Sequence, residues 1–167
     1  RSFCILNPIT FNKIYVLHSS FLDLFHKKTT LYNPKQIKLS GWLQKFNYGN
    51  NQYNKNGCYV LYPFEHHTDF FSIKNLLLKF ISLGKKIVVK KYPGWKNYEM
   101  FNNMNIEIVD DFSNKHLDNT FAVVALTTTM VFEFIARKFF VIYPANSGYN
   151  LFEGLKIPGL ISDKDFF

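Results

Sequence analysis

From residue 58 onward, short near-continuous apolar runs alternate with stretches of helical spacing, and this alternation limits the possible folds more than any other feature of the chain. Residues 58–64 read CYVLYPF, 86–90 KIVVK, 106–109 IEIV, 121–126 FAVVAL and 139–143 FFVIY. Runs rich in β-branched and aromatic residues, without polar alternation, are expected as strands buried on both faces. Between the first two runs, Phe70, Ile73, Leu76, Leu77, Phe80, Ile81 and Leu83 recur at helical spacing, and Gly84 is placed to stop that helix. A second strong helix is expected over 128–138, with Val131, Phe132, Phe134, Ile135 and Ala136 inward. A short helix fits 97–103, and the connection between the third and fourth strands reads as a loop.

The order is therefore β-α-β-α-β, loop, β-α-β. Alternation of this kind needs right-handed crossovers between parallel strands. The expected class is α/β, with a Rossmann-like parallel sheet flanked by helices over residues 58–167. Residues 1–57 are expected as a short irregular or helical N-terminal segment. In it, 11–18 admits a helix or a strand, and 20–27 an amphipathic turn with Phe21, Leu22, Leu24 and Phe25. The tract FNYGNNQYNKNG over 46–57 is nearly all turn formers and reads as a linker. IPGLIS over 157–162 reads as a short extended return.

Composition narrows the function classes. A chain of 167 residues suffices for one domain, which buries about 70% of its unfolded surface. With 19 Phe, 10 Tyr and 2 Trp it is too rich in buriable surface for disorder. No run approaches the roughly 18 apolar residues of a membrane span. Cys4 and Cys58 make neither a disulfide framework nor a metal spacing, so a reducing, cytoplasmic setting is expected. The chain opens on Arg1 without the order of a signal peptide, and a fragment or incomplete reading frame is one expectation. The net charge is +8; residues 1–58 carry eight basic and one acidic residue, residues 106–167 five basic and eight acidic. A basic first third points to an anionic partner such as a nucleotide, a phosphate-bearing lipid or the inner face of a membrane. The plain alternative is a solvated Lys-rich face. Nucleic acid is not expected as a partner, because only Arg1 and Arg137 supply the guanidinium that reads phosphate and base edges.

In open parallel sheets, ligands bind outside the carboxyl ends of the strands, where strand order reverses. Four loops therefore matter. In Pro63–Asp69, neighbouring residues such as His66 and His67 rarely point at one ion and no further His sits at suitable spacing, so no metal site is expected. Thr68 or Asp69 caps the following helix, and Glu65 or a His serves as polar contact or base. In Lys90–Lys96, Lys90 and Lys91 at the strand's carboxyl end, followed by Tyr92 and then by Pro93 and Gly94 that bring backbone close, suit a phosphate or an anionic sugar donor; the alternative is a charged turn. FAVVAL runs straight into Thr127, Thr128 and Thr129, whose hydroxyls and free amides at a helix start form an anion site. Glu133 lies one turn deeper, where its carboxylate accepts ribose hydroxyls; the alternative is plain capping by Thr. In Tyr143–Tyr149, Asn146, Ser147 and Gly148 suit a sugar or base pocket with Tyr149 stacking; the alternative is an ordinary surface turn.

The series YVLYPF, KIVVKKYPGW, IEIVDD and FAVVALTTTMVFEFIARKFFVIYP, followed by Tyr149, resembles the nucleotide-sugar half of a GT-B glycosyltransferase. More narrowly it is similar to the capsule polysaccharide biosynthesis family, which includes Kdo transferases. The likeness covers roughly residues 58–160. It implies a metal-independent bacterial glycosyltransferase without a resident cofactor, acting on a nucleotide-activated sugar, CMP-linked in preference, and a glycan or glycolipid acceptor. It also implies that Lys91 and Pro93 lie in the family's His-Pro loop, that Thr127, Thr128 and Thr129 hold the donor phosphate, and that Glu133 contacts ribose or sugar. Glu65 and Lys91 are the candidate catalytic residues. Tyr92 stands where the family has His, which replaces an imidazole by a phenol. The family's Gly-Lys-Pro after the helix is replaced by Arg137-Lys138-Phe139-Phe140, at the helix end. GT-B enzymes carry an N-terminal acceptor domain of more than about a hundred residues. Residues 1–57 are read as a remnant of such a domain plus linker, so the expectation is a donor half completed by a partner chain, a truncated product, or a binding remnant without turnover. A non-catalytic nucleotide or phosphate module and a basic membrane-surface protein are the rival readings.

Overall fold

The computed structural model describes residues 14–16, 37–39, 53–65, 70–128, 130–147 and 157–167. The chain divides into two compact units, residues 1–47 with 154–157, and residues 48–153 with 158–167. In the first, β1 (Ile14–Val16) pairs in parallel with β2 (Ile37–Leu39), so the stretch that admitted helix or strand contains a strand.

The second unit follows the order β3 (Tyr59–Pro63), α1 (Phe70–Ser82), β4 (Lys86–Lys90), β5 (Ile106–Val109), α2 (Asn114–Asp118), β6 (Thr120–Val124), α3 (Met130–Ala136), β7 (Val141–Tyr143), β8 (Leu160–Ser162) and α4 (Asp163–Phe166). Its six strands are all parallel and lie in the order β5-β4-β3-β6-β7-β8. Counted from β3 as the first strand, that order is 3-2-1-4-5-6, the doubly wound arrangement of Rossmann-like sheets. The α/β class expected from the alternation is therefore present, with helices flanking a parallel sheet.

Strand periodicity sorts the side chains into two layers. Val60, Tyr62, Ile87, Val89, Ala122, Val124 and Ile142 share one core with Ile73, Leu76, Leu77 and Phe80 of α1. Each Val, Leu, Ile or Phe among them contributes about 1.5–3 kcal/mol when fully removed from water. Leu61, Val88 and Val123, which alternate to the opposite face, are equally buried, so the central strands are covered on both sides.

Two helix ends have the same construction. Gly84 at φ +73° donates its N–H to Ile81 O at 2.9 Å, and Lys85 N–H reaches Phe80 O at 3.0 Å, closing α1 in a Schellman motif. At the end of α3, Lys138 N–H donates to Ile135 O at 2.9 Å and Phe139 N–H to Phe134 O at 3.0 Å. There the left-handed position is filled by Lys138 at φ +63°.

Several expectations are corrected. The run IEIV is not buried on both faces: β5 ends the sheet, and Glu107 and Ile108 are exposed. The expected loop between β5 and β6 holds α2, nucleated by Ser113, whose Oγ accepts from His116 N–H at 3.4 Å while its own N–H donates to His116 Nδ1 at 3.3 Å. This is a capping box with His in the usual Glu position, so periodicity gives no sign of it. The short helix over 97–103 shrinks to a 3₁₀ turn at Glu99–Phe101. Helix α3 is shorter than 128–138 because Thr128 caps it and Lys138 turns out of it, which leaves Ile135 and Ala136 half-buried and delays β7 to Val141. Leu83 is 55% exposed, since the chain has already left the helix there. The expected extended return holds β8, a sixth strand parallel to β7. Tyr53–Gly57, read as the end of a linker, are fastened to the sheet unit: Asn54 N–H donates to Thr120 O at 3.0 Å and Tyr53 N–H to Lys138 O at 3.4 Å. Residues 20–27 and 46–52 lie outside the described residues.

Candidate functional site

Parallel register brings the strand-end loops to one edge, in the order of the strands: Asp110 and Asp111 after β5, Lys91 after β4, Glu65 after β3, Leu126–Thr128 after β6, and Ala145–Asn146 after β7. The reversal of strand order falls between β3 and β6. Glu65 stands there, two residues past the end of β3, and its side chain crosses the gap.

The Glu65 carboxylate is 5% exposed. Its Oε1 accepts the Leu126 N–H at 3.0 Å; its Oε2 accepts the Thr127 N–H at 2.6 Å and the Thr127 hydroxyl. Burial pushes the Glu65 carboxyl above its ordinary value, and the Thr127 hydroxyl with the amides of Leu126, Thr127 and Thr128 pulls it part of the way back. Thr127, expected to hold a donor phosphate, thus directs both its donors to Glu65. Thr128 serves the helix: its Oγ1 accepts from Met130 N–H at 3.3 Å and its carbonyl from Val131 N–H at 3.3 Å.

Lys91 sits at the expected strand end, half-exposed, with its ammonium 2.9 Å from Asp110 Oδ1. Beside it Lys90 pairs with Asp111 at 2.9 Å, and that hydrogen bond holds the Asp111 carboxyl below its ordinary value. Tyr92 is 42% exposed and its N–H donates to Tyr98 Oη at 3.0 Å, which draws the loop back over an aromatic cluster. In that cluster the Phe64 ring lies 5.9 Å from Trp95 and 5.3 Å from Tyr98. Pro93 is exposed beside Gly94, whose φ of +81° makes the turn. Glu133, expected to face ribose, is paired at 2.8 Å with Arg137, the residue that follows its helix. Asn146 is exposed at the end of β7, and its neighbour Ala145 donates its N–H to Asp163 Oδ1 at 2.8 Å. His66, His67, Thr68, Asp69, Thr129, Gly148 and Tyr149 lie outside the described residues.

Sequence reasoning missed Leu126, which acts through its backbone, and the aspartates that answer the lysines. For Asp110 and Asp111 a signal existed, since both directly follow the IEIV strand. Asp163 had none, because its partners Ala145 and Lys79 are far away in sequence. Among the described residues no group of three or more His, Cys, Asp or Glu is placed to hold a metal ion, and no helix is long and apolar enough to cross a membrane. Comparison with known protein families, characterised proteins and solved structures finds no match. The fold and site thus define a class, a Rossmann-like α/β sheet with a carboxylate fixed across its switch point.

Proposed function

We propose that the six-stranded unit is a glycosyltransferase-like domain that binds a nucleotide-activated sugar, CMP-linked in preference, at the carboxyl edge of its sheet, for bacterial surface polysaccharide synthesis. The observation that supports ligand binding there is the reversal of strand order between β3 and β6, with Glu65, Thr127 and Thr128 gathered at it and Lys91 at the end of the adjoining strand. The sugar and the pathway rest on the resemblance of residues 58–160. In this reading Lys91 and the hydroxyls of Thr128 and Thr129 meet the donor phosphate, Glu133 contacts ribose or sugar, and Tyr92, Pro93, Asn146 and Tyr149 complete the pocket. Displacement at the anomeric carbon is then assisted by neutralising charge on the departing phosphate.

Calorimetric titration with CMP, CDP and UDP tests the reading. Binding is expected to weaken when Thr128 and Thr129 are both replaced by Ala, and a wild-type chain that binds none of the three overturns it. A second reading, a nucleotide-binding module of the same fold without turnover, is favoured by the internal partners already taken by Lys91, Glu133 and Thr127. Release of nucleotide from a sugar donor separates the two.

A further inference from the structure

Among the described residues, Leu126 and Thr127 send three hydrogen-bond donors to one buried carboxylate where the strand order reverses. Leu126 N–H and Thr127 N–H, at 3.0 and 2.6 Å, and the Thr127 hydroxyl all point at Glu65. The sheet sets the direction of the first of them. Along β6 and its extension the amides alternate in direction: Val123 N–H donates to Phe140 O at 2.9 Å and Ala125 N–H to Ile142 O at 3.1 Å, on the β7 side. Leu126 N–H therefore faces the β3 side, where β3 has already ended at Pro63. A Glu65 oxygen takes the place that a carbonyl of a longer β3 would fill. These two amides precede α3, which starts at Met130, so the cradle belongs to the strand end and not to a helix terminus.

Two backbone amides and a hydroxyl aimed at one anion, out of bulk water, make an oxyanion site whose geometry the fold holds in advance. We infer that the switch point is such a site, filled in cis by Glu65, and that a small external oxyanion competes with Glu65 for the same three donors. Access of an anionic ligand to the centre of the carboxyl edge is then governed by the Glu65 side chain. The inference goes beyond the nucleotide-sugar reading and does not depend on it: formate carries neither base nor sugar. A chain that takes up formate after loss of Glu65 yet binds no nucleotide keeps this inference and overturns that reading.

The experiment compares thermal unfolding of the wild-type 167-residue chain and Glu65→Ala in sodium formate, in sodium phosphate and in sodium chloride of equal ionic strength. In Glu65→Ala, formate at ten times its Kd is expected to raise Tm by about 3 °C over chloride, while the wild type is unmoved. Adding Thr127→Val to Glu65→Ala is expected to weaken formate about tenfold. Phosphate acting like formate in Glu65→Ala extends the site to tetrahedral anions, and phosphate without effect restricts it to planar ones. Formate that shifts wild type and variant equally, or neither, overturns the inference. Should Glu65→Ala fail to fold, Glu65→Asp, shorter by one methylene, is titrated with formate while the Leu126 and Thr127 amide resonances are followed by NMR. Both are expected to move at concentrations that leave the wild type unchanged, and equal movement or none overturns the inference.

Discussion

Phe134 and Phe139 meet edge-on, ring centroids 5.9 Å apart, across the left-handed turn that Lys138 makes at the end of α3. The pair is the apolar clasp that accompanies a Schellman motif, and it fixes the chain's path from helix to β7. Lys138 carries a Cβ where glycine pays no steric penalty, at a cost of roughly 1 kcal/mol. Lys138→Gly is therefore expected to stabilise the protein, raising Tm by about 2–4 °C. A fall in Tm in calorimetric scans would refute this account of the turn.

Glu65 gives stability a dependence on pH. Its carboxyl titrates near 4.5 when unfolded and higher when folded, because burial disfavours the charge. The folded chain holds the proton more tightly, so the contribution of Glu65 is greatest below about pH 4.5 and declines as pH rises through the folded value. Urea unfolding of wild type and Glu65→Gln between about pH 4 and 8 is expected to show the wild type losing stability relative to the variant as pH increases. A relative gain would contradict the assigned direction.

Gly57 lies where two strands begin almost in backbone contact. A Cβ at this position would stand 2.6 Å from Asn119 O and 2.8 Å from Phe121 N, both main-chain atoms. Neither can swing away as a side chain tip does. Gly57→Ala is expected to cost about 1–3 kcal/mol in chemical denaturation, whereas Gly84→Ala meets no neighbour within 4 Å and is penalised only through its φ of +73°.

Lys91 separates stability from binding. Its pair with Asp110 joins a half-exposed and a largely exposed side chain, so Lys91→Ala should change unfolding free energy by less than about 1 kcal/mol. Under the nucleotide reading the same substitution weakens CMP binding. Unchanged CMP affinity in this variant would remove Lys91 from the site.

Much of the sheet was legible in the sequence because buried parallel strands leave an apolar signature that needs no partner to interpret. KIVVK and YVLYP stand in the structure as five-residue strands, and Gly84 stops α1 where the sequence places it. What escaped notice depended on contacts remote in the chain or on unusual residues in familiar roles. The exposure of β5 follows from its place at the edge, α2 depends on a His acting as Glu would, and Lys138 turns left-handed without glycine. At the candidate site, the positions of Glu65, Lys91 and Thr127 along one edge follow from the strand pattern. The bonds between Glu65 and Thr127 do not, because burial and side-chain direction at a strand end are set by the assembled sheet.

That sheet also has a temporal order written into its connections. Strands β3, β4 and β5 follow one another in sequence and join as neighbours, the first connection running through α1 and the second through the 3₁₀ turn at Glu99–Phe101. The central seam, Leu61 against Val123, waits for β6, and the Glu65 bonds to Leu126 and Thr127 span 61 and 62 positions. Closing so long a segment is slow compared with forming the local crossovers. The latch at Glu65 is therefore expected among the last contacts to form as the chain folds, joining the two halves of the sheet.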